Sequence, residues 1–201
     1  GIVMDDGVSA RLADDHFFLT TTTGGAARVL AWMERWLQTE WTDLKVYLTS
    51  VSDEYAVATV AGPRSRQLMR QVCSGVDFDR DAFPFMSFRN GSVDGIPVRV
   101  QRVSFSGELS YEVYSPARQG LQVWEQLLAA GQELGVTPYG TEAMHVLRAE
   151  KGFIIVGQDT DGAITPVDLG YGGMVAGSKD CLGKRSLARS HTAGTGRRQL
   201  V

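Results

Sequence analysis

The order of its elements is what most constrains this chain. Three times a pair of β-prone runs leads into a helical pattern, without the segments repeating in sequence. Residues 2–12 and 16–23 predict two strands joined by Ala13-Asp14-Asp15. The second of them, His16-Phe-Phe-Leu-Thr-Thr-Thr-Thr23, is rich in β-formers. Gly24-Gly25 then opens a helix to about Gln38, with Ala27, Leu30, Ala31, Met33, Trp36 and Leu37 as its buried face. Leu44–Ser50 and Glu54–Ala61 form the second strand pair, and Gly62-Pro63 starts a helix through Val72, with proline in the first turn. In the third unit Val93-Asp94-Gly95 marks a turn, Ile96–Phe105 and Leu109–Tyr114 are strands, and 117–134 is an amphipathic helix. Asn90-Gly91 reads as a further tight hairpin turn. Hairpins capped by helices imply an α+β fold, with helices over one face of antiparallel sheet rather than on both faces of a parallel one.

With 201 residues the chain has length for one domain or two small lobes. Its net charge of −3 gives no electrostatic ground for expecting nucleic acid as a partner, and Arg197-Arg198 is too short a basic cluster to change that. No apolar run approaches the ~20 residues that span a bilayer, so no membrane partner is expected. The N-terminal Gly1-Ile-Val-Met-Asp-Asp6 lacks the basic region and apolar core of a secretion signal. Cys73 and Cys181 are far apart, which suits a reduced, cytoplasmic setting better than a disulfide scaffold. His16, His145 and His191 show no ligand spacing, and no metal site is expected. The strand-like start at Gly1 and the strand-like Gln199-Leu-Val201 suggest a piece of a longer protein.

Glycine-rich stretches suggest nucleotide or metal loops but fail on detail. Gly24-Gly25 lacks the Gly-x-Gly-x-x-Gly pattern and reads as a strand-to-helix turn. Between Gly177 and Ser186 the spacing is one residue too long for a P-loop, and Arg185 stands where a magnesium-binding hydroxyl belongs. Asp159-x-Asp161-Gly162 lacks the remaining ligands of a calcium loop.

The densest stretch runs from Tyr139 to Pro166. Thr141 is a candidate N-cap, Glu142 lies in the first turn where the helix dipole favours it, and Gly152 ends the helix. Ala143, Met144 and Leu147 form its apolar stripe, while Arg148 and Glu150 leave it. An apolar run, Phe153 to Val156, and a polar loop, Gly157-Gln-Asp-Thr-Asp-Gly162, follow before Thr165-Pro166. A helix stop, a buried run and an acidic loop so close together suggest the wall of a site.

The ordered set Leu147-Arg-Ala-Glu-Lys-Gly, Gly157-Gln-Asp-Thr-Asp, Thr165-Pro-Val and Leu182-Gly-Lys-Arg-Ser-Leu187 resembles the aminomethyltransferase superfamily, the folate-binding fold of the glycine-cleavage T-protein. The wording Tyr-Gly-Thr-Glu-Ala-Met-His-Val-Leu-Arg-Ala-Glu-Lys-Gly-Phe, from Tyr139, is most similar to the alpha subunits of heterotetrameric sarcosine oxidases. The resemblance covers essentially the whole chain and implies ferredoxin-like antiparallel α+β lobes around a folate channel, here truncated. On that basis residues 1–84 are expected to be a partial first lobe, 85–175 a second lobe, and 176–201 a linker helix leading to a C-terminal barrel.

Three carboxylate or arginine stretches are candidates for the site. Asp5-Asp6 is placed at a strand end among Ile2, Val3, Met4 and Val8, and alternation sends the two side chains to opposite faces; an acidic pair in solvent is an equally good reading. The resemblance makes Asp5 the carboxylate that faces the folate nitrogen receiving the one-carbon unit. In Phe105-Ser-Gly-Glu-Leu-Ser-Tyr-Glu112, the turn falls at Ser106-Gly107, and Glu112 either faces solvent or needs a donor. The resemblance assigns Glu112 to the pterin, whose parallel amino and ring N–H donors suit a carboxylate, with Phe105 and Tyr111 beside it. Phe105 stands where the family has tyrosine, so the ring is kept and the phenol lost. Arg148 matches the second arginine of the T-protein helix and is a folate-contacting candidate, or else an ion-pair partner of Glu150, Asp159 or Asp161. Met144 replaces the first arginine, which in that family helps hold the folate tail.

The function so implied is capture of the methylene group of oxidised sarcosine by tetrahydrofolate, as 5,10-methylenetetrahydrofolate. FAD or FMN and NAD, and the other subunits of a sarcosine oxidase complex, are implied elsewhere, and the isolated piece is expected to be inactive. The alternatives are a stand-alone aminomethyltransferase or dimethylglycine dehydrogenase folate domain, a non-enzymatic folate-binding iron–sulfur assembly factor, and a structural lobe. Met144 and Glu150-Lys-Gly-Phe153 weigh against the first pair. The assembly factors carry Lys-Gly-Cys-Tyr-x-Gly-Gln where this chain has no cysteine between Lys151 and Gln158.

Overall fold

A computed structural model describes residues 1–189. His191, Arg197-Arg198 and the strand expected at Gln199-Leu-Val201 lie outside these residues. The chain forms two compact units, one built from Gly1–Leu44 together with the chain from Ile154 onward, the other from Lys45–Phe153. The boundary expected at 84/85 falls inside the second unit, because the segments on both sides of it belong to one sheet.

In the first unit, β1 (Ser9–Ala13) and β2 (His16–Leu19) form an antiparallel hairpin turning at Asp14-Asp15. The strands are shorter than expected, and Ile2–Val8 is not strand. That segment is held by scattered bonds, among them Val3 N–H donating to the Ile164 carbonyl (2.8 Å) and Thr20 N–H donating to the Val8 carbonyl (2.9 Å). A 3₁₀ turn, Thr23–Gly25, leads into helix α1 (Ala26–Thr39). Leu30, Met33, Trp36 and Leu37 of the expected buried face are only half-buried, and Ala27 and Ala31 are exposed. Trp36 stacks between Trp32 and Trp41, at 5.5 and 5.4 Å between ring centres, so aromatic contacts along the helix replace a deep core.

The second unit carries the hydrophobic core. Leu44–Ser50, expected as strand, is irregular, and Tyr47 is 95% exposed; its alternating pattern finds no paired neighbour among the described residues. Strand β3 (Tyr55–Ala61), helix α2 (Ser65–Val72), the two-residue β4 (Cys73–Ser74), β5 (Ser87–Val93), β6 (Ile96–Arg102) and β7 (Ser110–Pro116) follow. The sheet is antiparallel throughout, in the order β3-β7-β6-β5-β4. The segment 117–134 is helical as expected, as α3 (Gly120–Gly131) flanked by 3₁₀ turns.

Alternation along the strands sends Val60, Val98, Val100, Tyr111 and Val113 to one face, where they meet Leu68 and Met69 of α2 and Val123 and Leu127 of α3. Phe78, Phe83 and Tyr111 close this core with ring centres 5.5 to 5.7 Å apart. Asn90-Gly91 is not a turn but lies within β5. A β-carbon on Gly91 would come within 2.6 Å of the Ser74 carbonyl oxygen, so the glycine is there for the close approach of β4. The turn is Asp94-Gly95, with φ of 49° and 76°, the left-handed pair that closes a two-residue hairpin. Asp94 also accepts from the Gln122 side-chain amide of α3 at 2.9 Å.

Helix α4 (Thr141–Lys151) begins after Gly140, which rather than Thr141 holds the cap position. It stops where expected, at Gly152 with φ of 80°. Beyond it, in the first unit, Ile164 and Thr165 are buried and α5 (Leu182–Leu187) is a short helix.

Candidate functional site

Asp5 sits against the start of α1, not on a strand. Its Oδ1 accepts N–H bonds from Thr22 (3.0 Å) and from its neighbour Asp6 (2.8 Å), and its Oδ2 accepts from the Thr22 hydroxyl (3.1 Å). The Arg28 guanidinium stands 3.8 Å from Oδ2, and the Asp5 side chain is only 6% exposed. Arg28 also donates to the Met4 carbonyl. The carboxylate lies so close to Gly25 that a β-carbon there would be 1.7 Å from Oδ2. Gly24-Gly25, a strand-to-helix turn by its sequence, thus also serves a steric purpose, because Gly25 leaves room for Asp5. Asp6 is exposed. Thr22, Gly25 and Arg28 carry no site motif in the sequence, and the doubled glycine is the one available signal.

Glu112 stands on the face of the sheet opposite the core. Its strand partners are Thr59 on one side and Gln101 on the other, so the three side chains share that face. Tyr114, two residues along, donates its hydroxyl to Oε2 of Glu112 at 2.6 Å. Burial, and then the negative Glu112 carboxylate, hold the Tyr114 phenol far above its ordinary range, so it remains a donor. Glu112 is therefore half-buried with a fixed partner rather than a solvent-facing residue. The Glu112-x-Tyr114 spacing held the signal for Tyr114, since residues two apart on a strand share a face.

The other expected ligands scatter. Tyr111 points the opposite way from Glu112, fully buried among Phe78 and Phe83. Desolvation raises its pKa; its place is in the core rather than beside Glu112. Phe105 lies on the loop between β6 and β7, half-buried, beyond the end of the strand in which it was expected. The chain reverses about Ser106-Gly107, but through a bent loop over 103–109 that is wider than the expected turn, and the Lys151 stem packs on Gly107, where a β-carbon would lie 2.6 Å from Cγ. Arg148 does not leave the packed stripe of α4 but is its most buried residue, at 8% exposed. Its Nη1 donates to the Phe153 carbonyl at 3.0 Å, and its own carbonyl accepts the Phe153 N–H at 2.9 Å. This clamp fixes the chain as it leaves the helix.

A cavity of about 600 Å³ opens along the β3 edge of the sheet, between that strand, α3 and the chain leading into α4. Its lining includes Val57, Thr59, Trp124, Tyr139 and Met144. Thr59 carries the cavity to the strand position beside Glu112, and Met144 offers it a thioether where the resemblance called for a guanidinium.

Comparison with known proteins agrees with this architecture. Residues 1–179 match the GCVT N-terminal domain. Sarcosine oxidase subunit alpha of Corynebacterium sp. strain P-1 is 56% identical over 202 residues, covering 100% of this chain and 21% of that protein. The subunit of the same name from Rhizobium meliloti strain 1021 is 40% identical over 204 residues, covering 100% and 20%. Mouse mitochondrial dimethylglycine dehydrogenase is 32% identical over 185 residues, covering 91% and 21%. The chain thus spans about a fifth of the length of these curated relatives. The crystal structure of glycine cleavage system aminomethyltransferase T from Bartonella henselae superposes with a TM-score of 0.73 at 22% identity, over 88% of this chain and 44% of that one, a likeness of fold. The α+β arrangement, the family match over residues 1–179 and the whole-length similarity to sarcosine oxidase alpha subunits place this chain in the GCVT family of the aminomethyltransferase superfamily.

Proposed function

We propose that this chain is the tetrahydrofolate-binding, one-carbon-transfer domain of a sarcosine oxidase alpha subunit, receiving the methylene carbon of oxidised sarcosine. Flavin, NAD and the other subunits belong to the rest of that assembly. The observation that carries the reading is Glu112: a half-buried carboxylate on the face of the sheet opposite the core, oriented by the Tyr114 hydroxyl through one oxygen. Each carboxylate oxygen can accept more than one hydrogen bond, so the pair of oxygens still suits a ligand with two parallel N–H groups. A 2-amino-4-oxo pteridine has that edge.

Tetrahydrofolate, when bound, supplies the nitrogens that take up the carbon. Glu112 grips the pterin, and Tyr114 keeps the carboxylate in one rotamer. Asp5, prealigned by Thr22 and offset by Arg28, supplies a fixed negative charge to the positive charge that develops during transfer. Arg148 acts by holding the turn after α4. Tyr111 supports the strand from the core side.

The test is calorimetric titration of folinic acid into the full-length subunit and into this chain alone. Saturable binding to the subunit, lost in Glu112→Ala, supports the reading; no binding to the subunit refutes it and favours a structural lobe.

A further inference from the structure

Gln101 is 2% exposed, and its side-chain Nε2 has no hydrogen-bond partner among the described residues. Burying an amide N–H without an acceptor is unfavourable, and such a group calls for a missing partner. Its place in the sheet indicates which partner. Gln101 pairs directly with Glu112 across β6 and β7, and with Phe88 across β5 and β6. Thr59, Glu112, Gln101 and Phe88 thus form one row across the face opposite the core, running hydroxyl, carboxylate, amide and ring. Glutamate and glutamine side chains have the same length, so on directly paired residues their ends stand at similar height, about 5 Å apart at the backbone. The amide does not spend its N–H on the carboxylate beside it.

We infer that Gln101 is a specificity residue, donating its side-chain N–H to the 4-oxo oxygen of the pterin that Glu112 holds. The inference rests on the pterin reading above. Along one edge, a 2-amino-4-oxo pteridine presents a donor, a donor and then an acceptor, namely the amino group, N3–H and O4. The row presents the complement: two carboxylate oxygens to accept, then an amide to donate. A 4-amino pteridine puts a donor where Gln101 also donates, and its N3 bears no hydrogen for Glu112. Gln101 therefore makes the site select oxo over amino at that ring position, because a mismatch leaves buried polar groups unpaired.

The experiment measures affinities of folic acid and its 4-amino analogue aminopterin for the full-length protein and its Gln101→Leu and Gln101→Met variants. Both variants fill the space without the donor. The wild-type preference for folic acid is expected to fall roughly tenfold in each, the size of one well-placed hydrogen bond. Thermal midpoints without ligand should stay or rise, since an unpaired buried amide has been removed. An unchanged preference in stable variants overturns the assignment. So do two variants that fail to fold, since Gln101 would then be structural. Wild-type protein that binds neither compound overturns the pterin reading itself, and wild type that binds both equally overturns only the role of Gln101.

Discussion

Replacing Asp5 separates two roles that its surroundings combine. The carboxylate ties the N-terminal segment to the start of α1 through the Thr22 N–H and hydroxyl, in a nearly closed position. Asp5→Ala leaves both Thr22 donors without their acceptor. Each unsatisfied, partly buried group costs on the order of 1–3 kcal/mol, so the loss should be about 2–4 kcal/mol on the same scale, with water entering the space and limiting it. Asp5→Asn keeps one oxygen for the Thr22 N–H, and its amide can donate to the Thr22 hydroxyl oxygen. What it gives up is the attraction of Arg28, a half-exposed pair at 3.8 Å, worth roughly 0–1 kcal/mol. Urea unfolding of the full-length protein should therefore rank Asn close to wild type and Ala clearly below it. If Asp5 also stabilises charge during methylene transfer, Asp5→Asn should slow single-turnover formation of methylenetetrahydrofolate by a factor on the order of 10²–10⁴. Folate affinity should change little, and flavin-dependent oxidation of sarcosine should continue at its normal rate. Asn as destabilising as Ala would refute the hydrogen-bond accounting. Unchanged transfer in a stable Asn variant would leave Asp5 a structural tie alone.

Glu112→Gln should weaken folate affinity by about tenfold or more, because a hydrogen bond to a charged acceptor is worth about 1.5–3 kcal/mol; equal titration curves would count against the grip. Asp6→Asn, exposed and bonded through its backbone N–H, should alter neither stability nor transfer measurably. Burial pushes the Cys73 thiol up to about 11, so native protein should take alkylating label at exposed Cys181 well before Cys73, and labelling of both at equal rates would be inconsistent with the packed strand. The same shift makes folding less favourable as pH rises from the ordinary thiol range towards 11, since only the unfolded chain then releases that proton; Cys73→Ala should flatten that part of the pH–stability curve. Arg148→Lys, which gives up a fixed guanidinium for a flexible ammonium, should cost up to roughly 1.5–3 kcal/mol, the range of a charge-assisted hydrogen bond, read as a lower urea midpoint.

How far the sequence reached depended on whether a signal was local. Helix 117–134 and the stop at Gly152 were legible, because amphipathic period and left-handed glycine are decided within a few residues. Asn90-Gly91 misled, since the same dipeptide that favours a tight turn also suits a strand crowded by a neighbouring backbone, and only the Ser74 carbonyl distinguishes them. Leu44–Ser50 has the alternation of a strand, but alternation does not supply a partner to pair with. Glu112 was legible as a carboxylate needing a donor, whereas Tyr111 was misread because its neighbour in sequence faces the other way. Arg148 was placed outside the packed stripe by its charge, while the helix end buries it by using its guanidinium as a cap. Gln101 carried no signal of its own; its meaning comes from the register that sets it opposite Glu112.

The Asp94-Gly95 turn also bears on the order in which the second unit assembles. It joins adjacent strands through a two-residue loop, so the β5–β6 hairpin closes at little entropic cost and on the microsecond scale of isolated hairpins. The pairing of Ala58 with Val113, by contrast, must wait for a long loop to close. Asp94 then offers its carboxylate to Gln122 and Gln126, two residues on successive turns of the helix that follows. The tip of this hairpin is thus a landing point for α3, and β3, which pairs across the longest loop in the sheet, is the strand whose edge borders the cavity.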